Sequence, residues 1–178
     1  RKKYTSEEQM HQLIQKSIGQ TMRIKTMADQ LFEHFFVYAT EWENAKMELT
    51  DADRLFEQVL EEYAYALESK GMKVDIEFCP VNSQIYVNVE LLQRALDNLY
   101  SNILKYADSA GTIQIAYRKE RKHILLIISN EICSGYEKKE STGIGLNTCR
   151  KIISHFGGSF WTEEEEDRFI VTMELPLV

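Results

Sequence analysis

The apolar positions near the start of the chain recur with a helical step. From Ile14, the residues Ser17, Thr21, Ile24, Ala28, Leu31, Phe35, Tyr38, Trp42 and Ala45 alternate steps of three and four, the period of about 3.5 that keeps one seam of a helix facing other helices. TSEE, Thr5 to Glu8, is a capping box that opens this helix. Ile18, Met22, Met27, Phe32 and Phe36 widen the stripe beyond a two-strand seam, so the pattern predicts a helix of a bundle of about four, formed by dimerisation. A long helix packed on its own domain is the alternative such a stripe allows.

A different pattern begins near Leu49. Thr50 in LTDAD is positioned to cap a helix carrying Leu55, Phe56, Val59, Leu60, Tyr63 and Leu67, which Gly71 ends. Val74, Ile76 and Phe78 alternate as a strand, Pro80 breaks it, and Ile85 to Val87 make a short extended segment. Leu92, Ala95, Leu96, Leu99 and Ile103 then mark a helix continuing to Asp108. Thr112 to Arg118 and His123 to Ser129 read as a hairpin about the charged turn KERK. A helix over Ile144 to Phe156 stops at Gly157 and Gly158, and strands Ser159 to Thr162 and Phe169 to Leu175 follow. The class is therefore α+β: helices on one side of a mostly antiparallel sheet, in two layers. The division predicted is 1–48 for the helical region and 49–178 for the second domain.

Composition narrows the function. The 178 residues are 44% hydrophobic, and 28 acidic against 21 basic residues give a net charge of −7, which disfavours general binding to nucleic acid or an anionic membrane. Cys79, Cys133 and Cys149 are odd in number and lack metal-ligand spacing, as expected of reduced thiols in a cytosolic protein. No apolar run is long enough to cross a bilayer, so any membrane anchor is expected in a segment upstream of Arg1. The acidic run Glu163 to Asp167 reads as a solvated turn.

One helix carries unexpected residues. DNLYSNILKYAD, Asp97 to Asp108, has two asparagines four apart, followed by Lys105 and Tyr106, although asparagine is a mediocre helix former. On the helical wheel Asn98, Asn102 and Lys105 share one border of the buried arc. An amide oxygen there can ligate Mg²⁺ neutralised by phosphates, a lysine can meet phosphate oxygens, and a tyrosine ring can stack on a purine. Solvated amides beside a helix-end lysine are the plainer alternative. Farther on, Gly143 and Gly145 open a helix, where glycine lets the chain approach phosphates and the free N–H groups attract negative charge.

Together these stretches resemble the ATP-binding catalytic domain of sensor histidine kinases, in the superfamily that includes gyrase and the heat-shock ATPase chaperone. NLYSNILKYA resembles that family's asparagine box, STGIGL its second glycine box, and HFGG followed by a strand ending in LP its final segment. VNVELLQRALDNL resembles the lead-in to the box, with Asn88 where an aspartate is usual. The resemblance implies a Bergerat-type two-layer α/β sandwich that binds ATP and Mg²⁺, preceded by part of a dimerisation helix. It implies that Asn102 ligates Mg²⁺, that Lys105 contacts phosphate, and that Tyr106 packs on adenine. It also places Asn98 beside the γ-phosphate and wraps Gly143, Ile144, Gly145 and Leu146 around the phosphates.

Two departures stand out. ISNEICSG replaces the family's DxGxG motif, with Asn130 in place of the aspartate that receives the adenine amino group and without the first glycines. The lid between Asn130 and Gly143 is only a dozen residues long, Lys138 and Lys139 among them, and Ser141 stands where a glycine is common. Neither His11 nor His34 has the acidic neighbour and proline of the family's phosphoacceptor, so that histidine is expected outside this chain. The function implied is transfer of the ATP γ-phosphoryl to a histidine, for relay to the receiver aspartate of a response regulator, by a homodimer in the cytoplasm. A degenerate nucleotide-binding scaffold is the alternative. An ATPase clamp would keep a glutamate at Asn98 to activate water.

Overall fold

A computed structural model of the chain describes residues 7–39, 45–132, 143–165 and 167–178. The chain divides into two compact units, residues 1–44 and 45–178. In the first, helix α1 (Glu7–Ala39) leaves Met10, Leu13, Ile14, Ile18, Met22, Ile24, Met27 and Leu31 exposed, an apolar stripe of the kind that another helix covers. Thr5 and Trp42 lie outside the described residues, and Ala45, expected to extend the helical seam, is irregular.

The second unit opens with β1 (Glu48–Asp51), α2 (Ala52–Glu68), β2 (Lys73–Phe78), β3 (Gln84–Val87) and α3 (Val89–Tyr106). It continues with β4 (Thr112–Glu120), β5 (His123–Glu131), α4 (Ile144–His155), β6 (Ser159–Glu165) and β7 (Arg168–Pro176). The main sheet has the order β2-β4-β5-β7-β6, antiparallel except for the parallel pair β2–β4. Because paired residues share a face, the register gathers Ile113, Ile115, Tyr117, Leu126, Ile128, Val171, Met173 and Phe160 onto one side, all buried. Buried residues of α2, α3 and α4 supply the facing layer, and the Phe56 ring of α2 meets Tyr117 of the sheet at 5.2 Å. Each large aliphatic side chain so buried contributes about 1.5–3 kcal/mol relative to exposure.

Several local expectations are corrected. Thr50 does not cap α2: it pairs with Ile85 in a two-stranded sheet that the sequence reading did not contain, β1 against β3. Asp51 is the cap instead, its carboxylate accepting from the Arg54 N–H at 3.0 Å. The hairpin turn is tighter than KERK, because Lys119 and Glu120 still pair with Ile124 and His123, and Arg121 turns the chain with φ of 56°. The helix expected to reach Asp108 ends at Tyr106, where Ala107 turns extended and bridges Ile132. The acidic residues Glu163 to Glu165 lie exposed on β6 rather than in a turn.

Two polar pins hold the frame of the second unit. Asp53 accepts from the N–H groups of Val81 and Asn82 and from the Tyr117 hydroxyl, each at 2.8 Å, fixing the β2–β3 loop on the start of α2. Asn88 caps α3 through the Leu91 N–H at 2.9 Å while its Nδ2 donates to the Lys46 carbonyl at 3.0 Å. The aspartate usual at that place could do only the first. Residues 45–47 are thereby tied to the second unit ahead of β1.

Candidate functional site

Helix α3 runs as an amphipathic rod with Leu92, Ala95, Leu96, Leu99 and Ile103 buried, so its asparagines stand at the border of the buried arc. Asn98 and Asn102 are half-buried, Lys105 is exposed in the last turn, and Tyr106 is half-buried. One residue before Asn98, the Asp97 carboxylate accepts from the Tyr63 hydroxyl, which in turn accepts from Gln93 Nε2 at 2.7 Å. Burial, and then the Asp97 carboxylate, push the Tyr63 hydroxyl above its ordinary pKa and keep it a donor. This pin between α2 and α3 escaped the sequence reading, because α2 and α3 meet only in the fold.

Helix α4 begins on the glycine box. Gly143 is its cap, in the left-handed conformation at φ of 64°, with no side-chain cap and no acidic residue in the first turn. That φ is the one glycine supplies without strain. The leading N–H groups of α4 therefore carry the positive end of the helix dipole without a side-chain acceptor on the cap. Ile144, Gly145 and Leu146 are half-buried there. A side chain at Gly145 would stand 3.5 Å from Asn98 Oδ1, so the two motifs, remote in sequence, face each other. One turn deeper, the Cys149 thiol donates to the Ala95 carbonyl at 3.3 Å and holds the two helices together. Burial pushes that thiol up to about 12, so it stays protonated and inert.

The end of β5 meets the end of α3. The Ala107–Ile132 bridge and the Asp108 N–H, which donates to the Glu131 carbonyl at 2.9 Å, dock the end of α3 onto this strand. Tyr106 is thus brought beside the end of the strand that carries Asn130. Asn130 is buried on the helix-covered face, and its Nδ2 donates to the Glu131 carbonyl at 3.0 Å. Gly111 permits the docking: a Cβ there would press on the Glu131 side chain at 3.0 Å. Cys133, Lys138, Lys139 and Ser141 lie outside the described residues.

Among the described residues no group of three His, Cys, Asp or Glu side chains can hold a metal ion. The donor set at α3, a neutral amide at Asn102, suits a cation that arrives already neutralised by phosphates and not a resident metal. No helix among the described residues is long and apolar enough to cross a membrane.

A two-layer α/β fold whose asparagine-bearing helix faces a glycine-capped helix N-terminus defines a nucleotide-binding class. The family model described as histidine kinase-, DNA gyrase B-, and HSP90-like ATPase matches residues 87–178, and the chain belongs to that family. Its sequence is 26% identical over 155 residues to the sensor histidine kinase YrkQ of Bacillus subtilis, covering 87% of this chain and 35% of that protein. The chain spans about a third of the length of the curated relatives it matches. Among solved structures, histidine kinase ThkA in complex with the response regulator protein TrrA matches at TM-score 0.69 and 20% identity, over 99% of this chain and 54% of that one. Full-length ShkA in complex with AMPPNP matches at TM-score 0.68 and 15% identity, over 99% of this chain and 40% of that one. These likenesses show the histidine-kinase fold, a five-stranded sheet layered with helices and preceded by a long helix.

Proposed function

We propose that residues 45–178 are the ATP-binding catalytic portion of a sensor histidine kinase, and that α1 is part of the helical region through which it dimerises. The observation that carries this reading is the approach of Asn98 to Gly145, which puts an amide-bearing helix edge against an uncapped helix N-terminus. In this reading the N–H groups of Gly143 to Leu146 hold phosphate oxygens, Lys105 adds a positive charge, and Tyr106 lies along the adenine. Asn102 supplies its amide oxygen to Mg²⁺, which when bound neutralises the triphosphate and aligns its oxygens. Asn98, beside Gly145, steadies the γ-phosphoryl, and Asn130 accepts the adenine amino group.

These residues align and neutralise the group to be transferred and form no covalent bond themselves. The γ-phosphoryl passes to a histidine that neither His11 nor His34 matches in context, and from it to a response-regulator aspartate. The exposed stripe of α1 makes the homodimer, and any membrane attachment belongs to a segment other than the helices described. Calorimetric titration of ATP with and without Mg²⁺ tests the reading. Tighter binding with Mg²⁺ is expected, and no binding at millimolar nucleotide in either condition would refute it.

A further inference from the structure

We infer that Tyr63 is a positioning residue for the cation: by clasping Asp97 it fixes the rotation of α3 about its own axis, and with it the reach of Asn102. The inference rests on the reading of Asn102 as the Mg²⁺ ligand. On one flank of α3 the Asp97 carboxylate accepts from the Tyr63 hydroxyl of α2, and on the other Asn98 faces Gly145 of α4. Between the flanks runs the buried arc of Leu92, Ala95, Leu96, Leu99 and Ile103. Aliphatic burial is non-directional, so it holds the helix against the sheet without fixing how far the helix is rolled. Directional contacts set the roll.

Tyr63 supplies them along two turns of α3. Its hydroxyl donates to Asp97 and accepts from Gln93 Nε2 at 2.7 Å, and its ring stacks on Tyr100 with centroids 5.0 Å apart and planes 17° from parallel. Gln93, Asp97 and Tyr100, spaced by four and three residues, share the flank away from Asn98 and Asn102. The α4 flank is held by the Cys149 thiol on the Ala95 carbonyl at 3.3 Å, and a thiol is a weak donor. Side-chain ends lie about 5–6 Å from a helix axis, so a roll of about 10° carries the Asn102 amide oxygen by about 1 Å. Mg²⁺ demands near-ideal octahedral geometry and registers such a shift, whereas Ca²⁺ accepts a range of ligand positions. Loss of the clasp is therefore felt by one cation and not by the other.

The test titrates ATP into the full chain with Mg²⁺, with Ca²⁺ and with neither, for the parent and for Tyr63→Phe, which keeps the ring and removes only the hydroxyl. We expect the gain in affinity that Mg²⁺ confers to fall about tenfold in Tyr63→Phe, while the Ca²⁺ gain and the metal-free affinity stay within about twofold of the parent. Asp97→Ala, at an exposed position, should repeat the pattern, and the double variant should lose no more than either single one. Removing the Asp97 charge alone would weaken both cations alike, so the Ca²⁺ titration separates that effect from a shift of Asn102. A Mg²⁺ gain that survives in the variants, or a loss as large with Ca²⁺ or without metal, overturns the inference. Asp97→Ala decides the matter if Tyr63→Phe does not fold. A parent chain whose ATP affinity gains nothing from Mg²⁺ sinks the reading of Asn102 and this inference with it; a parent gain that Tyr63→Phe and Asp97→Ala leave intact sinks this inference only.

Discussion

Replacing Asn102 with alanine is expected to abolish the gain in ATP affinity that Mg²⁺ confers, by about a hundredfold or more, while binding measured without Mg²⁺ stays unchanged. Asn102 is half-buried at the edge of α3, outside its run of buried aliphatic residues, so the substitution removes an amide without opening a cavity. Among the described residues no acidic cluster stands ready to take over the cation. Changes one step removed from a metal typically cost ten- to a hundredfold in affinity, and loss of the ligand itself lies at or above the upper end of that range. Asn102→Asp keeps an oxygen at the same reach and should retain part of the metal dependence. Parallel titrations of the three chains with ATP, with Mg²⁺ present and absent, check this. An Asn102→Ala chain that still binds more tightly with Mg²⁺ would remove Asn102 from the site.

Gly158→Ala should be the most damaging single methyl group in the second unit. Gly158 ends α4 in a tight stop, its N–H donating to the Ile153 carbonyl at 2.9 Å. A Cβ there would fall well inside van der Waals contact of the Glu174 carbonyl oxygen, 2.9 Å from Ile153 Cγ2 and 3.1 Å from Leu175 Cδ2. Glu174 lies in β7, paired on both sides with Leu125 and Ser159, so its main chain cannot yield without breaking the sheet. Overpacking of this kind costs about 3 kcal/mol, or a fall in melting temperature of about 10 °C for a domain of this size. Thermal melting followed by circular dichroism measures it, and a variant melting within a degree or two of the parent would contradict the packing at this corner.

What the sequence disclosed depended on how local each cause was. Helices α3 and α4 and the strands β4 to β7 announce themselves because their apolar positions recur at the period of the element, and Gly71 and Gly157, both at positive φ, stop α2 and α4 as their spacing implied. Strand β1 was invisible because ELTD is mostly polar and is fixed by pairing with β3, more than thirty residues away; Thr50 therefore read as a cap when its place was in a ladder. The parallel pairing of β2 with β4 is likewise decided by a partner beyond the segment.

The site divided in the same way. The asparagine helix and the glycine-opened helix were legible as separate motifs, each with its chemistry, but the approach of Asn98 to Gly145 exists only after α3 and α4 have packed. The substituted asparagines show the limit most clearly. Asn88 and Asn130 each stand where the family's pattern has an aspartate, and each spends its NH₂ group on a main-chain carbonyl, of Lys46 and Glu131 respectively. A residue type carries no record of which carbonyl will lie within reach. In sequence both look like losses of charge; in the fold both are gains of a donor.

The proposed function requires one pocket in which α3, the start of α4 and the end of β5 meet the same ligand. Amide chemical shifts of the ¹⁵N-labelled chain, followed as Mg·ATP is added, test it most directly. The shifts should move together, with one affinity, at the backbone of Gly143 to Leu146 and at the side-chain amides of Asn98, Asn102 and Asn130. Changes confined to α3 or to α4 alone, or an unaltered spectrum at millimolar nucleotide, would contradict the account.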